Sequence, residues 1–485
     1  MPTAQELIRQ ARGFQQSGQV QTALEVYRTA VKTHPRSPEA HSALGVILAQ
    51  LGMDAEAIEH LERVTKLLPT SPDALCNLAQ AHRAQGRLER ALDCFDRARW
   101  MVKNHPRATA GAAEIQVRIG QADKAYETLR PFVAIMQDPA PVALTFARAC
   151  AHTGRESEGI AALQRHLAGT GERLDQHVRV LMHFELATLS DAAGLHDQAF
   201  GAATEANRLL PKRFDAGAHS AAISRIIEQW TPERHASLPK GTDASQAPVF
   251  IVGLPRCGAG LVEQVIAGHP ACAPGGDLAL MRHIIARLQG VQSPEIVLFD
   301  RLDALSPSAV VGAASFYLGS LAQIGGAAAR ITDKLTHNFL YLGLIDRMLP
   351  GARIIHVTRD ELDVGISCYL RHFDLPYRFT GNLGDIGSYI RDARRLMAHW
   401  RSFISVPVLE VSYESLVADV PGQAGRIIDF LGLEWDDRCA RTHETKRNPR
   451  TLANPAVRRP VTQSRVGLHT RYESYLAPLR EALKA

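Results

Sequence analysis

Between residues 248 and 260 the chain reads Pro248-Val-Phe-Ile-Val-Gly253-Leu-Pro-Arg256-Cys257-Gly258-Ala259-Gly260 and runs on into the helix-like stretch Leu261–Ala267. The apolar run Val249–Val252, bounded by proline and glycine, predicts a short buried strand. Strand, glycine loop and helix start together make a cradle for an anion, because backbone N–H groups and the positive end of the helix dipole face one point. The spacing Gly253-x4-Gly258 matches the opening of a phosphate-binding P-loop, but Ala259-Gly260 stands where Lys-Ser/Thr is required. The missing lysine argues against a kinase or other nucleoside-triphosphate enzyme, and Arg256 within the loop points to a different anion chemistry. Cys257 has two readings: a thiol acidified by the helix end and Arg256, or a small substitute for serine. A plain glycine turn joining strand to helix accounts for the loop equally well.

Three further segments carry candidate chemistry. Ala273-Pro-Gly-Gly276-Asp277 reads first as a turn and helix cap, with Asp277, His269 and His283 as the nearby titratable groups. Ile331-Thr-Asp333-Lys334 ends a strand, and the chain then enters a helix through Tyr341–Met348; a lysine following a buried strand departs from the ordinary solvated surface lysine. Ala352–Asp360 is an apolar strand closed by Arg359-Asp360 and followed by a helix bearing Asp363 and Ser367. Arg359 at the strand end and Ser367 two helical turns on can reach one shared anion.

These segments resemble the PAPS-dependent sulfotransferases, in particular the tyrosylprotein-sulfotransferase-like branch and its bacterial-type members with tetratricopeptide repeats. The family's 5′-phosphosulfate loop is usually Pro-Arg-Ser-Gly-Thr-Thr; here Pro255-Arg256-Cys257-Gly258-Ala259-Gly260 keeps the skeleton and loses three hydroxyls. Ile331–Leu340 is similar to its Asp-Lys-Met-Pro-x-Asn-Phe segment, with Leu335-Thr336 replacing Met-Pro and Asn338 retained. The resemblance implies that Lys334 contacts the oxygen bridging sulfur and the departing 5′-phosphate, where a cation serves an in-line transfer. It implies that Arg359 and Ser367 bind the 3′-phosphate, that Tyr413 contacts the nucleotide, and that Asp277, one methylene shorter than the usual glutamate, is the general base. The stretch Thr442–Arg471 resembles the family's basic flap, with Arg458 and Pro460 matching, Ala453 replacing a serine, and Arg465, Leu468 and His469 replacing Ser, Arg and Trp. The implied donor is PAPS, with no metal. Three motifs in order, each at a strand end, suit a P-loop-like three-layer α/β/α domain with a mainly parallel sheet.

At 485 residues the chain suits two or three domains, and 22% charged with 46% hydrophobic residues is ordinary globular composition. A net charge of +5 is too mild for a dedicated nucleic-acid binder. The N-terminus lacks a signal-peptide core and no run of eighteen apolar residues occurs, so no membrane partner and a cytoplasmic location are expected. Seven scattered cysteines without Cys-x-x-Cys pairs point to a reducing compartment and no structural zinc.

The N-terminal half is periodic. Gly18, Gly52, Gly86, Gly120 and Gly154 recur every 34 residues, each followed after five positions by Ala23, Ala57, Ala91, Ala125 or Gly159. After nine positions come Tyr27, Leu61, Phe95, Leu129 and Leu163, and a later unit restarts at Gly194 with Ala199 and Pro211 in phase. This is the tetratricopeptide pattern, two helices per unit, in which the glycine permits the inter-helix turn and the small residue a close crossing. The expected organisation is an α-solenoid of about six repeats over 3–212, a capping helix and linker over 213–247, and the sulfotransferase-like domain over 248–480. His34, His41, His60 and His82 read as helix residues rather than ligands. The concave surfaces of such solenoids bind other polypeptides or self-associate. The leading functional expectation is sulfuryl transfer from PAPS to a hydroxyl of a protein, peptide or glycan acceptor, with the repeats recruiting acceptor or partner. The alternative is a catalytically degenerate sulfotransferase-like module acting as a protein-binding scaffold, because hydroxyls are lost at Cys257, Ala259, Gly260 and Ala453.

Overall fold

The computed structural model describes residues 2–17, 19–134, 140–170, 174–210, 214–290, 298–373, 377–442 and 460–484. The chain divides into two units, Met1–Arg173 and Leu174–Ala485. The first contains five successive helix pairs: α1 (Ala4–Gln16) with α2 (Val20–Thr33), α3 (Pro38–Gln50) with α4 (Asp54–Leu67), α5 (Pro72–Ala84) with α6 (Leu88–Met101), α7 (Pro106–Arg118) with α8 (Ala122–Ala134), and α9 (Ala140–Thr153) with α10 (Glu156–Thr170). Their starts are set locally. Ser37, Ser71 and His105 each accept a backbone N–H of the first turn, with Pro38, Pro72 and Pro106 pre-set for the helix behind them. Gly52, Gly86, Gly120 and Gly154 turn each first helix into its partner with φ of +71 to +86°, a backbone region that costs residues with a Cβ about 1–2 kcal/mol. The small residues five positions on, Ala23, Ala57, Ala91 and Ala125, are fully buried at the crossings.

The second unit opens with a sixth pair, α11 (Gln176–Ala192) and α12 (His196–Leu209), turned by Gly194 at φ +78°. Then come α13 (Ala216–Gln229), α14 (Pro232–Ser237), β1 (Pro248–Gly253), α15 (Ala259–Ala267), β2 (Cys272–Pro274), α16 (Leu280–Gln289) and α17 (Pro307–Gly325). They are followed by β3 (Arg330–Asp333), α18 (Leu342–Met348), β4 (Arg353–Thr358), α19 (Glu361–Tyr369) and α20 (Leu383–Arg401). The unit closes with β5 (Val408–Ser412), α21 (Tyr413–Ala418), α22 (Val420–Phe430) and α23 (Ala477–Lys484). A 3-10 turn at Thr336–Tyr341 precedes α18.

The five strands form one parallel sheet in the order β2-β3-β1-β4-β5. β1 is central and buried along its whole length, as its unbroken apolar sequence dictates for a strand covered on both faces. On one face Val249 and Ile251 pack with Val262, Val265 and Ile266 of α15 and with Ile427 and Ile428 of α22. On the other, Phe250 stacks on Tyr317 of α17 at 5.3 Å. Behind this layer Gly343 of α18 lies so close to Trp230 and Trp400 that a Cβ there would meet either ring at 2.7 Å. α13 packs on α20, where His219 and Ser220 both reach the buried Asp392. Register places Phe250 beside Asp333 and Gly253 beside Val357, so the C-terminal ends of β3, β1 and β4 lie next to one another. Among the described residues α17 is long and apolar enough, by length and a mean hydropathy of 1.2, to cross a bilayer; 22% of it is buried.

Candidate functional site

The loop after β1 is held by close approach on two sides. A Cβ on Gly253 would lie 2.4 Å from the carbonyl oxygen of Val357 on β4, and one on Gly258 would lie 2.6 Å from the Tyr413 ring. Arg256 adopts φ +67° and Gly258 φ +105°, left-handed positions flanking Cys257. Gly258 is also the N-cap of α15 and contributes no side chain to it. Such a loop presents backbone N–H groups and the helix end rather than side-chain hydroxyls. Cys257 turns the other way. It is 1% exposed, sits in the core with Val249, Ile251 and Val262, and burial pushes its thiol up to about 11. The acidified-thiol reading is therefore corrected: the low dielectric around the sulfur outweighs the helix end and the neighbouring cations. Ala259 belongs to the same core. Of the three loop positions without a hydroxyl, two thus face away from the cradle.

Three cations converge here from three strand ends. Arg256 rises from the loop itself and is exposed; its Nε donates to Ser367 Oγ at 3.0 Å, with Arg359 and Arg465 close by. Arg359 follows β4. One nitrogen donates to the Arg256 carbonyl at 3.1 Å, another reaches Asp363 at 3.3 Å and also the Arg465 carbonyl, and the guanidinium lies over the Tyr413 ring, 4.5 Å from its centroid. Its side chain is 5% exposed and its buried Nε has no hydrogen-bond partner among the described residues. An unsatisfied cationic donor at that depth fits an anion. Ser367 and Arg359 are thus gathered around Arg256.

Lys334 follows β3. Its Nζ donates to both carboxylate oxygens of Asp277 at 2.9 Å, and its backbone N–H donates to the Gly276 carbonyl at 2.8 Å. Asp277 is half exposed and Lys334 is 16% exposed, so the pair opens to solvent at the carboxylate end. α16 is capped at Ala279 with no side-chain bond, which removes the helix-cap reading of Asp277. What fixes the turn is a residue outside the sequence expectations. Glu263 of α15, 3% exposed, accepts the Gly276 N–H at 3.0 Å and the Thr332 hydroxyl at 2.9 Å. Burial raises its pKa, opposed by Lys334 and these two bonds. Its one sequence signal was an acid set in the otherwise apolar α15. Beside Lys334, Asp333 is fully buried, accepts the Tyr317 hydroxyl at 3.0 Å and the Leu335 N–H at 3.1 Å, and is pushed up to about 7 by burial.

The histidines weighed against Asp277 lie elsewhere. His269 is engaged by the Glu434 carbonyl and the Ala271 N–H, and His283 lines a cavity of about 440 Å³ between α16 and α17. Arg458, with Ala453 and the rest of 443–459, lies outside the described residues; Pro460 is exposed. Beyond them Asp363, fully buried, accepts the Gly467 and His469 N–H groups at 2.8 Å and faces the His469 ring. Asp360, Asp363 and His469 bring three ligand-type atoms within 4.8 Å, but the Asp363 oxygens are already engaged.

Residues 248–437 match the sulfotransferase family, residues 8–72 the tetratricopeptide repeat, and residues 52–132 the anaphase-promoting complex, cyclosome, subunit 3 family. A protein of Aquifex aeolicus, itself uncharacterised, is 33% identical over 304 residues, covering 60% of this chain and 39% of the relative. A putative protein-tyrosine sulfotransferase of Caenorhabditis briggsae is 24% identical over 40% of this chain and 69% of its own length. The chain therefore spans well under half of the bacterial relative it matches. Among solved structures, a thermophilic tetratricopeptide-repeat protein of Thermus thermophilus is 22% identical with a TM-score of 0.34, covering 38% of this chain and 99% of that one.

Proposed function

From the premise that this chain carries tetratricopeptide repeats followed by a sulfotransferase-family domain, we propose that it transfers a sulfuryl group from PAPS to a hydroxyl of a protein, peptide or glycan acceptor. The repeats recruit that acceptor or a partner. One observation carries the reading: Arg256, Arg359 and Lys334 follow the C-terminal ends of three adjacent parallel strands, with Arg359 bonded to the loop that leads into α15. Cations at the carboxyl ends of adjacent parallel strands suit a donor with phosphates on the 3′ and 5′ oxygens of its ribose.

PAPS supplies an activated sulfuryl group on a 5′-phosphate. Each residue then has a part. The loop backbone from Arg256 to Gly260 and the α15 dipole hold the 5′-phosphosulfate. Arg359, through the Nε that has no partner among the described residues, and Ser367 hold the 3′-phosphate, and Tyr413 braces both the loop and the Arg359 guanidinium. Lys334 neutralises charge on the bridging oxygen as its bond to sulfur breaks and the bond from the acceptor oxygen forms. Asp277 takes the acceptor proton, and its contact with Lys334 holds the carboxylate at the reacting centre. The loop's missing hydroxyls cost little in this reading, because the Cys257 and Ala259 side chains belong to the core.

Thermal melting with excess 3′-phosphoadenosine 5′-phosphate, on the native protein and on Arg359→Ala, tests the site. Ligand at a hundred times its dissociation constant stabilises a competent site by about 2.7 kcal/mol. A shift present in the native protein and lost in the variant supports the reading. No shift at millimolar ligand leaves the domain a scaffold, and a shift with magnesium ATP instead makes it a nucleoside-triphosphate enzyme.

A further inference from the structure

The cluster of arginines around the candidate nucleotide pocket is larger than the loop and strand ends alone provide, and its counter-charge comes from an unexpected element. Asp191 lies on α11, the first helix of the sixth pair, and is 3% exposed. One of its oxygens accepts Arg465 at 2.7 Å and lies 3.8 Å from Arg371; the other accepts the Tyr472 hydroxyl at 2.8 Å. Burial opposes its charge, yet Arg465, Tyr472 and Arg371 together hold the carboxyl below its ordinary value. Arg371 also donates to Thr188, one turn earlier on α11. Its pKa is pushed down to about 10 by burial, with Arg256 and Arg465 adding to the fall and Asp191 opposing it.

The contacts do not stop at one carboxylate. Tyr369 at the end of α19 stacks on Phe200 of α12 at 5.0 Å, its hydroxyl meets Thr204 at 2.9 Å, and its carbonyl accepts Asn207. Tyr475 stacks on the same Phe200 at 3.9 Å. The α11–α12 pair therefore grips both segments that bracket the Arg359–Ser367 helix: 369–371 directly behind it, and 465–475, whose Arg465 carbonyl accepts Arg359. Four guanidiniums, those of Arg256, Arg359, Arg371 and Arg465, share this region with two buried carboxylates, Asp363 and Asp191.

We propose that Asp191 is a positioning residue for the nucleotide pocket: by anchoring Arg465 and Arg371 it sets the backbone of 465–469 against Arg359 and so shapes the subsite for the nucleotide's 3′-phosphate. This rests on the functional reading above. The last helix pair is on this account part of the donor site rather than part of a detachable recruiting arm. Asp191→Asn keeps the shape and one acceptor while removing the charge, and Asp191→Glu restores the charge.

The test compares dissociation constants for 3′-phosphoadenosine 5′-phosphate and for ADP, which lacks the 3′-phosphate, on the full chain, together with KM for PAPS and kcat at saturating PAPS. Asp191→Asn weakens the bisphosphate at least tenfold and leaves ADP within twofold; KM rises by the same factor while kcat holds within twofold, and Asp191→Glu recovers most of the loss. Equal weakening of both nucleotides, or no change in either, overturns the inference while leaving the nucleotide site standing. If Asp191→Asn does not fold, Arg465→Ala, whose side chain is 41% exposed, carries the same comparison. If the native protein itself binds no bisphosphate, the functional reading falls first and this inference with it.

Discussion

Asp333 offers a direct measure of how dry the centre beside Lys334 is. The carboxyl has no exposure to solvent, and burial moves it from the ordinary 3.8 to about 7. A raised folded pKa means that the native state binds the proton more tightly than the unfolded chain. The associated stability is complete below pH 3.8 and is lost as pH rises through about 7. Integrating the linkage between pH 5 and pH 8, the native protein loses about 2–3 kcal/mol through this one group. Asp333→Asn cannot ionise; its amide oxygen keeps the Leu335 N–H, and the Tyr317 hydroxyl can turn from donor to acceptor. The variant should therefore show that much less pH dependence, and should gain on the native protein as pH rises. Urea unfolding of both proteins at pH 5 and pH 8 gives the double difference, in which every other titrating group cancels. Trp230 and Trp400, both fully buried and 5.5 Å apart in this unit, make fluorescence a suitable signal. At a slope near 3 kcal/mol per molar urea, the difference amounts to a midpoint shift of about 1 M. Parallel pH dependence in the two proteins would refute the claim that Asp333 is a dry, reluctantly ionised acid.

Two further changes separate chemistry from architecture. Lys334→Met should lower the release of 3′-phosphoadenosine 5′-phosphate from PAPS by about 10²–10³-fold while the melting temperature stays nearly constant, since the Asp277 left behind is half exposed and solvated; turnover and melting measured on one preparation decide it. Gly258→Ala sets a Cβ 2.6 Å from the Tyr413 ring at φ +105°, and should cost about 1–3 kcal/mol together with nucleotide affinity; an unchanged melting temperature would show that the loop does not need its close packing on Tyr413.

The repeats were legible because their determinants are local. A glycine needed for one left-handed turn and an alanine needed for one crossing announce themselves by spacing, without reference to any partner. The strand before the loop was legible for a similar reason: a run of four apolar residues bounded by Pro248 and Gly253 is too short for a helix and suits a strand buried on both faces. What sequence could not show were the pairings. Lys334 and Asp277 are 57 positions apart, and Arg465 and Asp191 are 274 apart, so nothing in either neighbourhood marks the other. Cys257 illustrates a different limit. Its sequence neighbours, an arginine and a helix start, favour an ionised thiol, but the left-handed turns at Arg256 and Gly258 rotate the sulfur into the core, where burial decides its pKa. Glu263 was hidden because an acid within an apolar helix gains its meaning only from the turn it supports on the next strand.

The position of α11 and α12 in the chain has a consequence for how the protein is made. The first five helix pairs complete themselves from neighbouring sequence and can form as they emerge. The sixth pair carries the same repeat signature, but the surfaces it buries, Tyr369, Arg371, Arg465, Tyr472 and Tyr475, lie up to 281 residues downstream. At roughly 5–20 residues per second, Phe200 and Asp191 leave the ribosome tens of seconds before they are covered. The nascent chain thus carries five finished pairs and one unfinished pair, and the docking of 369–371 and 465–475 is the late event that shields it.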